Sequence, residues 1–185
     1  MIEYRFITDT ITYTGRELRS HWAFNNFEIA GDSIIAFIGP ARVEITEMVD
    51  LKDVKSKSPI YSEIMLHFIA EHFELDLEKT FLRQRLLISI IKNRIEKISN
   101  RVINQKGDDL FHEDRKLSVS IATLSPVSSL IHVGINISSE KTPIKTAALV
   151  EFDIEPVRFA KKVLRIYNTE IKRILTDLTL VRSVQ

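Results

Sequence analysis

The chain has 185 residues, a mass of 21.4 kDa and a net charge of +1, a size that predicts a single domain over residues 1–185. It contains no cysteine, which excludes disulfides, thiolate metal sites and a cysteine nucleophile. The small net charge argues against nucleic acid as the main partner, and no apolar run approaches the roughly 20 residues of a membrane span. We therefore expect a cytoplasmic protein that does not bind membranes.

The N-terminal part of the chain predicts strands separated by a short helix. Residues 2–13 favour two short strands or one bent strand, and residues 16–27 favour a helix. Gly31-Asp32 predicts a turn, and residues 34–38 are apolar on both faces, as expected of a central strand covered on both sides. Gly39-Pro40 is expected to end that strand.

Two helices are predicted in the middle of the chain. Ser58-Pro59 is a helix start, because serine is a good N-cap and proline is favoured at the first helical position. That helix is expected to reach about residue 73 and to bury Ile60, Ile64, Phe68 and Ile69. Asp76 is expected to cap a longer helix that reaches about residue 100 and buries Phe81, Ile88, Ile91, Ile95 and Ile98.

The C-terminal segment has the most regular helical pattern. From Pro156 onward, apolar residues recur at alternating spacings of three and four; they are Val157, Ala160, Leu164, Tyr167, Ile171, Ile174 and Leu178. This stripe favours a helix docked on the sheet over a dimer seam, and a homodimer remains the open alternative.

Two clusters of polar residues favour solvated surfaces over binding sites. His67 and Glu71 share a face of the predicted helix, but His72 lies about 140° around it from His67 at 3.6 residues per turn. A surface pair is therefore favoured over zinc, and no metal site is expected. Seven cations crowd the following helix, where a solvated face is favoured over phosphate binding; they are Lys79, Arg83, Arg85, Lys92, Arg94, Lys97 and Arg101.

Residues 115–138 contain two strands with a period of two. In the first strand, one face is expected to pack on the core and carries Leu117, Val119 and Ile121, and the other carries Lys116, Ser118, Ser120 and Ala122. In the second strand, the core face carries Ile131, Val133, Ile135 and Ile137, and the other carries His132, Gly134, Asn136 and Ser138. The two non-core faces are small, polar and nearly uncharged, so they leave room and offer hydrogen-bond donors and acceptors. We expect them to form the floor of a ligand cleft, and the alternative is a surface covered by another protein segment.

Several stretches of the chain resemble the family described as domain of unknown function 366. They include Leu18-Arg19-Ser20-His21-Trp22, Gly31-Asp32-Ser33-Ile34, Met65-Leu66-His67-Phe68 and the Lys-Leu-Ser-Val-Ser-Ile-Ala-Thr run that begins at Lys116. The resemblance implies an α/β (α+β) fold with a mostly antiparallel sheet packed against helices. Biotin and lipoate protein ligases and class II aminoacyl-tRNA synthetases have that type of fold.

The strand pair also resembles a pattern found in biotin and lipoate ligases. Those enzymes carry a lysine at the start of a strand, then small residues, then a return strand with a glycine; Lys116, Ser118, Ser120 and His132-Val133-Gly134 are similar. In the ligases the lysine holds the acyl carboxylate and the α-phosphate while an acyl-adenylate forms. The resemblance implies that Lys116 is the catalytic anchor for a small anionic ligand, with ATP or an adenylate as cofactor.

The same resemblance implies further residues around the cleft. Ser118, Ser120, His132 and Asn136 would form its polar wall. Arg19 and His21 belong to an early segment that borders the ligand in this fold. Arg42 lies in Gly39-Pro40-Ala41-Arg42, near the place of the Gly- and Arg-rich loop that covers the adenylate in the ligases.

Two functions from different classes follow from these observations. The first is a ligand-binding protein that transfers acyl or nucleotidyl groups through an adenylate, and the uncharged polar strand face favours it. The second is a non-catalytic scaffold or interaction protein that retains the fold without the chemistry. The reduced Gly- and Arg-containing stretch at residues 39–42 favours the second.

Overall fold

The computed structural model describes residues 2–57, 60–140 and 145–184. Its strands and helices in chain order are β1 (Glu3–Phe6), α1 (Trp22–Phe27), β2 (Ser33–Val43), α2 (Leu51–Ser56), β3 (Ile60–His72), α3 (Leu77–Ser99), β4 (Asn104–Lys106), β5 (Asp109–His112), β6 (Arg115–Lys116), β7 (Ser118–Leu124), β8 (Ser129–Asn136) and α4 (Pro156–Asp177). Short 3₁₀ turns lie at Ile45–Glu47 and Leu149–Phe152.

The main sheet has five strands in the order β1-β2-β3-β8-β7. β1 runs parallel to β2, and the other neighbouring pairs of this sheet are antiparallel. A small antiparallel sheet, β4-β5-β6, precedes β7. Because α3 and α4 pack against one face of the main sheet, the predicted fold class of a mostly antiparallel sheet packed against helices is confirmed.

The central strands are buried on both faces and supply two hydrophobic cores. On the side of α3 and α4, called the helix face, Phe68, Ile131 and Val133 belong to the larger core. Alternate side chains point to the opposite side, called the histidine face because His67 and His132 lie on it. There, residues 7–27 cover Phe37 and Ile69 in a second core.

The two long helices begin where the sequence predicts. Asp76 caps α3 by accepting a hydrogen bond from the N–H of Lys79 at 2.9 Å, and Glu155 caps α4 in the same way. The middle of each predicted stripe is buried, but the residues nearest the helix ends are exposed, namely Phe81, Ile98, Ile174 and Leu178. No helix within the three described ranges is long and apolar enough to cross a membrane.

The helix predicted at residues 60–73 is wrong, because this segment forms β3. A strand buried on both faces has a continuous apolar run instead of period-two alternation, and its apolar residues also fit helical spacing. His67, Glu71 and His72 are consequently buried in the sheet and do not form the predicted surface pair. The predicted helix start, Ser58-Pro59, lies outside the described residues.

β2 continues through Gly39-Pro40, where the sequence predicts that the strand ends. A bulge between Gly39 and Ala41 accommodates the proline, which has no N–H to donate to a neighbouring strand. Glycine is required at position 39 because the chain crosses over it: a Cβ there would lie 1.9 Å from the carbonyl oxygen of Ile11.

Residues 2–13 follow β2 in two extended stretches, as predicted. β1 is the first, and the second makes a parallel bridge between Tyr13 and Ala41. The helix predicted at residues 16–27 is shorter and begins at Trp22. His21 has a left-handed backbone with φ 61°, and its N–H donates to both carboxylate oxygens of Glu71 at 2.9 and 3.0 Å.

The predicted faces are correct for β8 and reversed for β7. Ser118, Ser120 and Ala122 stand opposite Ile135, Val133 and Ile131, so these residues share the helix face. Val119 and Ile121, which were predicted to be in the core, lie on the histidine face and are half-buried. Regular pairing is interrupted at Leu117, whose side chain remains in the larger core, and the alternation shifts there by one residue.

Replacing Ile88 with alanine tests the packing of the helix face. Ile88 is completely buried in the larger core, so the truncation should lower the free energy of unfolding by about 2–5 kcal/mol. Urea denaturation followed by circular dichroism measures the change. Ile98→Ala is the control, because Ile98 is 44% exposed on the same helix and its loss should change stability by only about 0.5 kcal/mol. Equal losses in the two variants would contradict this packing.

Candidate functional site

A cavity of about 810 Å³ opens on the histidine face, a volume within the range of small-molecule sites, about 300–1,000 Å³. Tyr13 and residues of β3, β7 and β8 form its floor. Residues 47–57, around α2, form one rim, and Asp108, Asp109 and Lys116 of the small sheet form the other. The cavity thus lies beside the part of the histidine face that residues 7–27 cover.

Stacked rings lie at the cavity floor, where Tyr13 and His132 line the cavity and His67 packs behind them. The ring of Tyr13 lies flat on that of His132, with centroids 3.7 Å apart and planes 9° apart. His67 stacks between the rings of Phe37 and Tyr13, with centroids 5.0 and 5.3 Å away. Burial lowers the pKa of His67 to about 4. Burial, followed by the neighbouring His67, lowers the pKa of His132 well below its usual value, so both imidazoles are neutral at neutral pH.

Hydrogen bonds determine the tautomers of these two histidines. His67 Nε2 lies 3.2 Å from the carbonyl oxygen of Gly39 and must carry the proton, since a carbonyl only accepts. His67 Nδ1 is then an acceptor, and His132 Nε2, 3.1 Å away, must donate to it. His132 Nδ1 therefore remains an acceptor, and no group in the described ranges hydrogen-bonds to it.

Two hydroxyl groups belong to residues that line the same cavity as His132. Ser62 lines the cavity, and its buried Oγ has no hydrogen-bond partner among the described residues. The Tyr13 hydroxyl also lacks a partner among them, and burial, helped by Glu17, raises its pKa so that it stays protonated. Tyr13 and Ser62 lie on either side of Ala41, which pairs with Tyr13 on one side and with Ser62 on the other. Buried polar groups without partners are rare in proteins.

The remaining floor is apolar and includes Met65, Val119 and Ile121. The sequence predicts free space above Gly134, but a Cβ at that position would lie 3.0 Å from Met65 Cε and 3.2 Å from Val119 Cγ2. These two side chains therefore fill the room that the glycine leaves.

Lys116 lies at the cavity rim, where its Nζ forms a 2.8 Å ion pair with Asp109 Oδ2. Burial raises the pKa of Asp109, although the lysine acts in the opposite direction. The predicted anchor for an anionic ligand thus already has a protein partner. The cavity is lined by five carboxylates, Glu47, Asp50, Asp53, Asp108 and Asp109, against three lysines, Lys52, Lys57 and Lys116.

The four predicted wall residues, Ser118, Ser120, His132 and Asn136, all line the cavity, but three of them use their polar groups to support its walls. Ser118 Oγ accepts from the N–H of Leu110 at 2.9 Å, and Ser120 Oγ accepts from Gln84 Nε2 at 2.8 Å, because both hydroxyls are on the helix face. Asn136 Nδ2 donates to the carbonyl oxygens of Ala147 and Lys116 at 3.3 and 3.4 Å. His132 uses one ring nitrogen within the protein and keeps Nδ1 as an acceptor without a partner among the described residues.

The other three predicted residues lie outside the cavity walls. Arg19 is exposed, and its Nε donates to the carbonyl oxygen of Arg16. The left-handed backbone of His21 places its exposed ring beside Phe73, with centroids 5.1 Å apart. Arg42 alternates with the buried Ala41 and Val43 and points outward, 5.7 Å from the ring of Tyr61.

Sequence reasoning missed Tyr13 and Ser62, which line the cavity, and His67, which packs against the rings of Tyr13 and His132 behind the lining. An aromatic ring in a short strand before a turn is a weak signal for Tyr13. For His67 the sequence predicts a position on a helix surface, because the apolar spacing of its segment also fits a helix. Ser62 has no local signal, because only the pairing of β2 with β3 brings it to Tyr13.

The chain is similar to proteins without an assigned activity and, in fold, to ligases. An uncharacterised protein of Methanocaldococcus jannaschii is 42% identical over 180 residues, which cover 94% of this chain and 81% of the relative. A solved protein of unknown function from Pyrococcus horikoshi is 34% identical with a TM-score of 0.94, covering 100% of both chains.

Biotin protein ligase from Aquifex aeolicus, solved with biotin and ATP, has a TM-score of 0.63 at 15% identity, covering 91% of this chain and 71% of the ligase. Other structures of the same ligase have TM-scores of 0.58 to 0.62, and a P. falciparum protein solved with lipoate has a TM-score of 0.59 at 15% identity. Likeness at such identities establishes the fold alone. The family model described as domain of unknown function (DUF366) matches residues 2–182. The chain therefore belongs to the DUF366 family and has the fold of biotin and lipoate protein ligases.

Proposed function

We propose that this protein binds a small carboxylic acid with a largely apolar body in the cavity on the histidine face. The observation that carries the proposal is the Ser62 hydroxyl, which is buried at the cavity and has no partner among the described residues. An unsatisfied buried hydroxyl costs about 1–3 kcal/mol of stability. A ligand that hydrogen-bonds to it removes that cost.

The rest of the floor defines the class of ligand. Met65, Val119 and Ile121, with the stacked ring of Tyr13, offer an apolar surface to a chain or a compact ring system. The Tyr13 hydroxyl and His132 Nδ1 add one donor and one acceptor for a polar group on that ligand. The similar ligases solved with biotin and with lipoate support this class, because both molecules are carboxylic acids with an apolar body.

Lys116 is the residue that we assign to the carboxylate of the ligand. It exchanges Asp109 for the incoming carboxylate, and Asp109 can then take up a proton because burial already raises its pKa. If ATP is the second substrate, a carboxylate oxygen attacks the α-phosphorus. The bond from that phosphorus to the oxygen bridging it to the β-phosphate breaks, and pyrophosphate leaves. Lys116 would stabilise the negative charge on the α-phosphate.

A second candidate is a binding or scaffold protein that performs no adenylation. The observation that favours it is the charge of the cavity, where five carboxylates outnumber three lysines and one of those lysines is already paired. Such a rim opposes the approach of a triphosphate. Release of pyrophosphate from ATP in the presence of a bound acid separates the two candidates.

Replacing Ser62 with alanine should affect stability and binding in opposite ways. Without ligand, the free energy of unfolding should stay the same or rise by about 1 kcal/mol, because an unpartnered buried hydroxyl is removed. Affinity for the bound acid should fall about two- to twelvefold, which corresponds to the roughly 0.5–1.5 kcal/mol of one hydrogen bond. Urea denaturation measures the first effect, and calorimetric titration with biotin, lipoate and octanoate measures the second.

Ser89→Ala is the matched control for this substitution, since Ser89 lies on α3 and does not line the cavity; it should leave affinity unchanged. If none of the three acids binds the wild-type protein, with or without ATP, the cavity does not bind this class. If Ser62→Ala lowers stability and leaves affinity intact, the hydroxyl has a structural role.

Replacing Lys116 with alanine should weaken binding of the acid and leave the fold intact. A charge-assisted contact to a carboxylate contributes about 1.5–3 kcal/mol, so affinity should fall about ten- to a hundredfold. The pair with Asp109 is about 30% exposed, and its loss should change stability by no more than about 1 kcal/mol. Titration and thermal unfolding measure both effects, with Lys106→Ala on β4 as the control outside the cavity. Unchanged affinity in Lys116→Ala would remove the lysine from the proposed site.

A further inference from the structure

A second concave surface lies between α3 and α4, on the opposite side of the main sheet from the cavity. This groove, called the α3–α4 groove, has a volume of about 880 Å³ and reaches Tyr4 of β1. It is lined by five cations, Arg94, Arg158, Lys161, Lys162 and Arg165, and by two carboxylates, Asp153 and Glu155. An excess of three positive charges is thus concentrated in one groove of a chain whose net charge is +1.

The cations converge because of helical spacing. Arg158, Lys161, Lys162 and Arg165 are separated by three, one and three residues, so they share one face of α4. Arg94 approaches them from α3. The nearby Arg165, together with burial, Arg94 and Lys97, lowers the pKa of Lys162, which is the effect expected of like charges held together.

The groove cations, four on α4 and Arg94 on α3, lack the acidic partners that four other cations of α3 have. Lys79 and Arg83 pair with Glu74, Arg85 pairs with Asp108, and Lys92 pairs with Glu96. None of the five groove cations forms an ion pair with a residue in the described ranges, and Arg94 Nε is buried without a hydrogen-bond partner there. Of the seven cations predicted to form a solvated face, four are therefore paired, whereas Arg94, Lys97 and Arg101 form no ion pair with a described residue.

The two carboxylates offset only part of this positive charge, and neither forms an ion pair with a groove cation. Both oxygens of Glu155 accept from backbone N–H groups at the start of α4, at 2.8 Å from Val157 and 2.6 Å from Arg158. Asp153 makes no ion pair with a described residue. The positive charge of the groove is therefore available to an anion from solution.

We propose that the α3–α4 groove is a second ligand site that binds a nucleoside polyphosphate. Several cations on one concave surface suit a ligand with at least two phosphate groups. A lysine contacts phosphate as a point charge, and an arginine contacts it with a fork of N–H donors. Ile98, Ile154 and Phe159 provide an apolar floor, and the ring of Tyr4, 42% exposed, stands beside it. That ring can stack on one base.

A single nucleotide fits these observations better than a nucleic acid strand does. Proteins that bind single strands without sequence preference combine a basic groove with a series of aromatic rings for successive bases. The α3–α4 groove offers one exposed ring, that of Tyr4. Nucleic-acid-binding domains also carry a large basic excess, which this chain lacks.

Calorimetric titration of the full chain with ATP and with tripolyphosphate tests the proposal. Lys162→Gln/Arg165→Gln should weaken binding of both at least tenfold. Lys172→Gln/Arg173→Gln makes the same charge change on exposed positions of α4 outside the groove and should change affinity less than twofold. ATP should bind more tightly than tripolyphosphate, and Tyr4→Ala should abolish that difference. The groove variant should unfold at the same temperature as the wild type or higher, because repulsion between like charges is removed.

Three results would overturn the proposal. ATP affinity that is unchanged in the groove variant but lost in Lys116→Ala would place the nucleotide in the cavity instead. A twelve-residue RNA that binds the groove more tightly than ATP does would make the groove a nucleic-acid surface. The absence of binding by both ATP and tripolyphosphate to the wild type would show that the cluster is a solvated surface. Failure of the acids to bind in the cavity leaves this proposal unaffected, because the two sites share no residue.

Discussion

The antiparallel pairing of β3 with β8 determines where the candidate site lies. In this register Phe68 stands opposite Val133, and Ile69 stands opposite His132. Apolar side chains therefore face α3 and α4, while the histidines face the other side. A slip of one residue would put an imidazole into the larger core and a valine at the cavity. Because both strands are buried on both faces, such a slip would be energetically unfavourable. The register of β3 with β8 therefore determines the position of the cavity floor.

β3 also holds residues 7–27, the segment that covers the histidine face. Buried Glu71 accepts hydrogen bonds from the N–H of His21 and, at 2.6 Å, from Ser128 Oγ. These contacts fix the end of the stretch that brings Tyr13 onto His132. Since burial keeps both stacked histidines neutral, the floor offers hydrogen-bonding groups without charge, and the charged groups lie at the rim. An apolar acid with a single charged end matches this distribution.

The sequence predicts elements with one buried face and fails where both faces are buried. α4 and β8 have a clear period, and the core face of β8 and the middle of the α4 stripe are confirmed. β3 lacks a period of two because both of its faces are covered, and its sequence therefore predicts a helix. β7 has a clear period, but the interruption at Leu117 reverses its faces, and this depends on long-range pairing. Lys116, His132 and Asn136 could be predicted beside the cavity from the local pattern of their own strands. Ser62 could not, because only the pairing of β2 with β3 brings it there.

Histidine side-chain NMR of ¹⁵N-labelled protein tests the binding site most directly. In the free protein, His67 and His132 should be neutral with the proton on Nε2. His72 should carry its proton on Nδ1, which lies 3.1 Å from Asp32 Oδ2, while its Nε2 accepts from the Tyr167 hydroxyl at 2.9 Å. Titration with biotin or lipoate should shift the His132 Nδ1 resonance and leave those of His72 unchanged, because His72 lies on the helix face. A His132 resonance that stays constant at saturating acid, or one that shifts no more than that of His72, would contradict the proposed site.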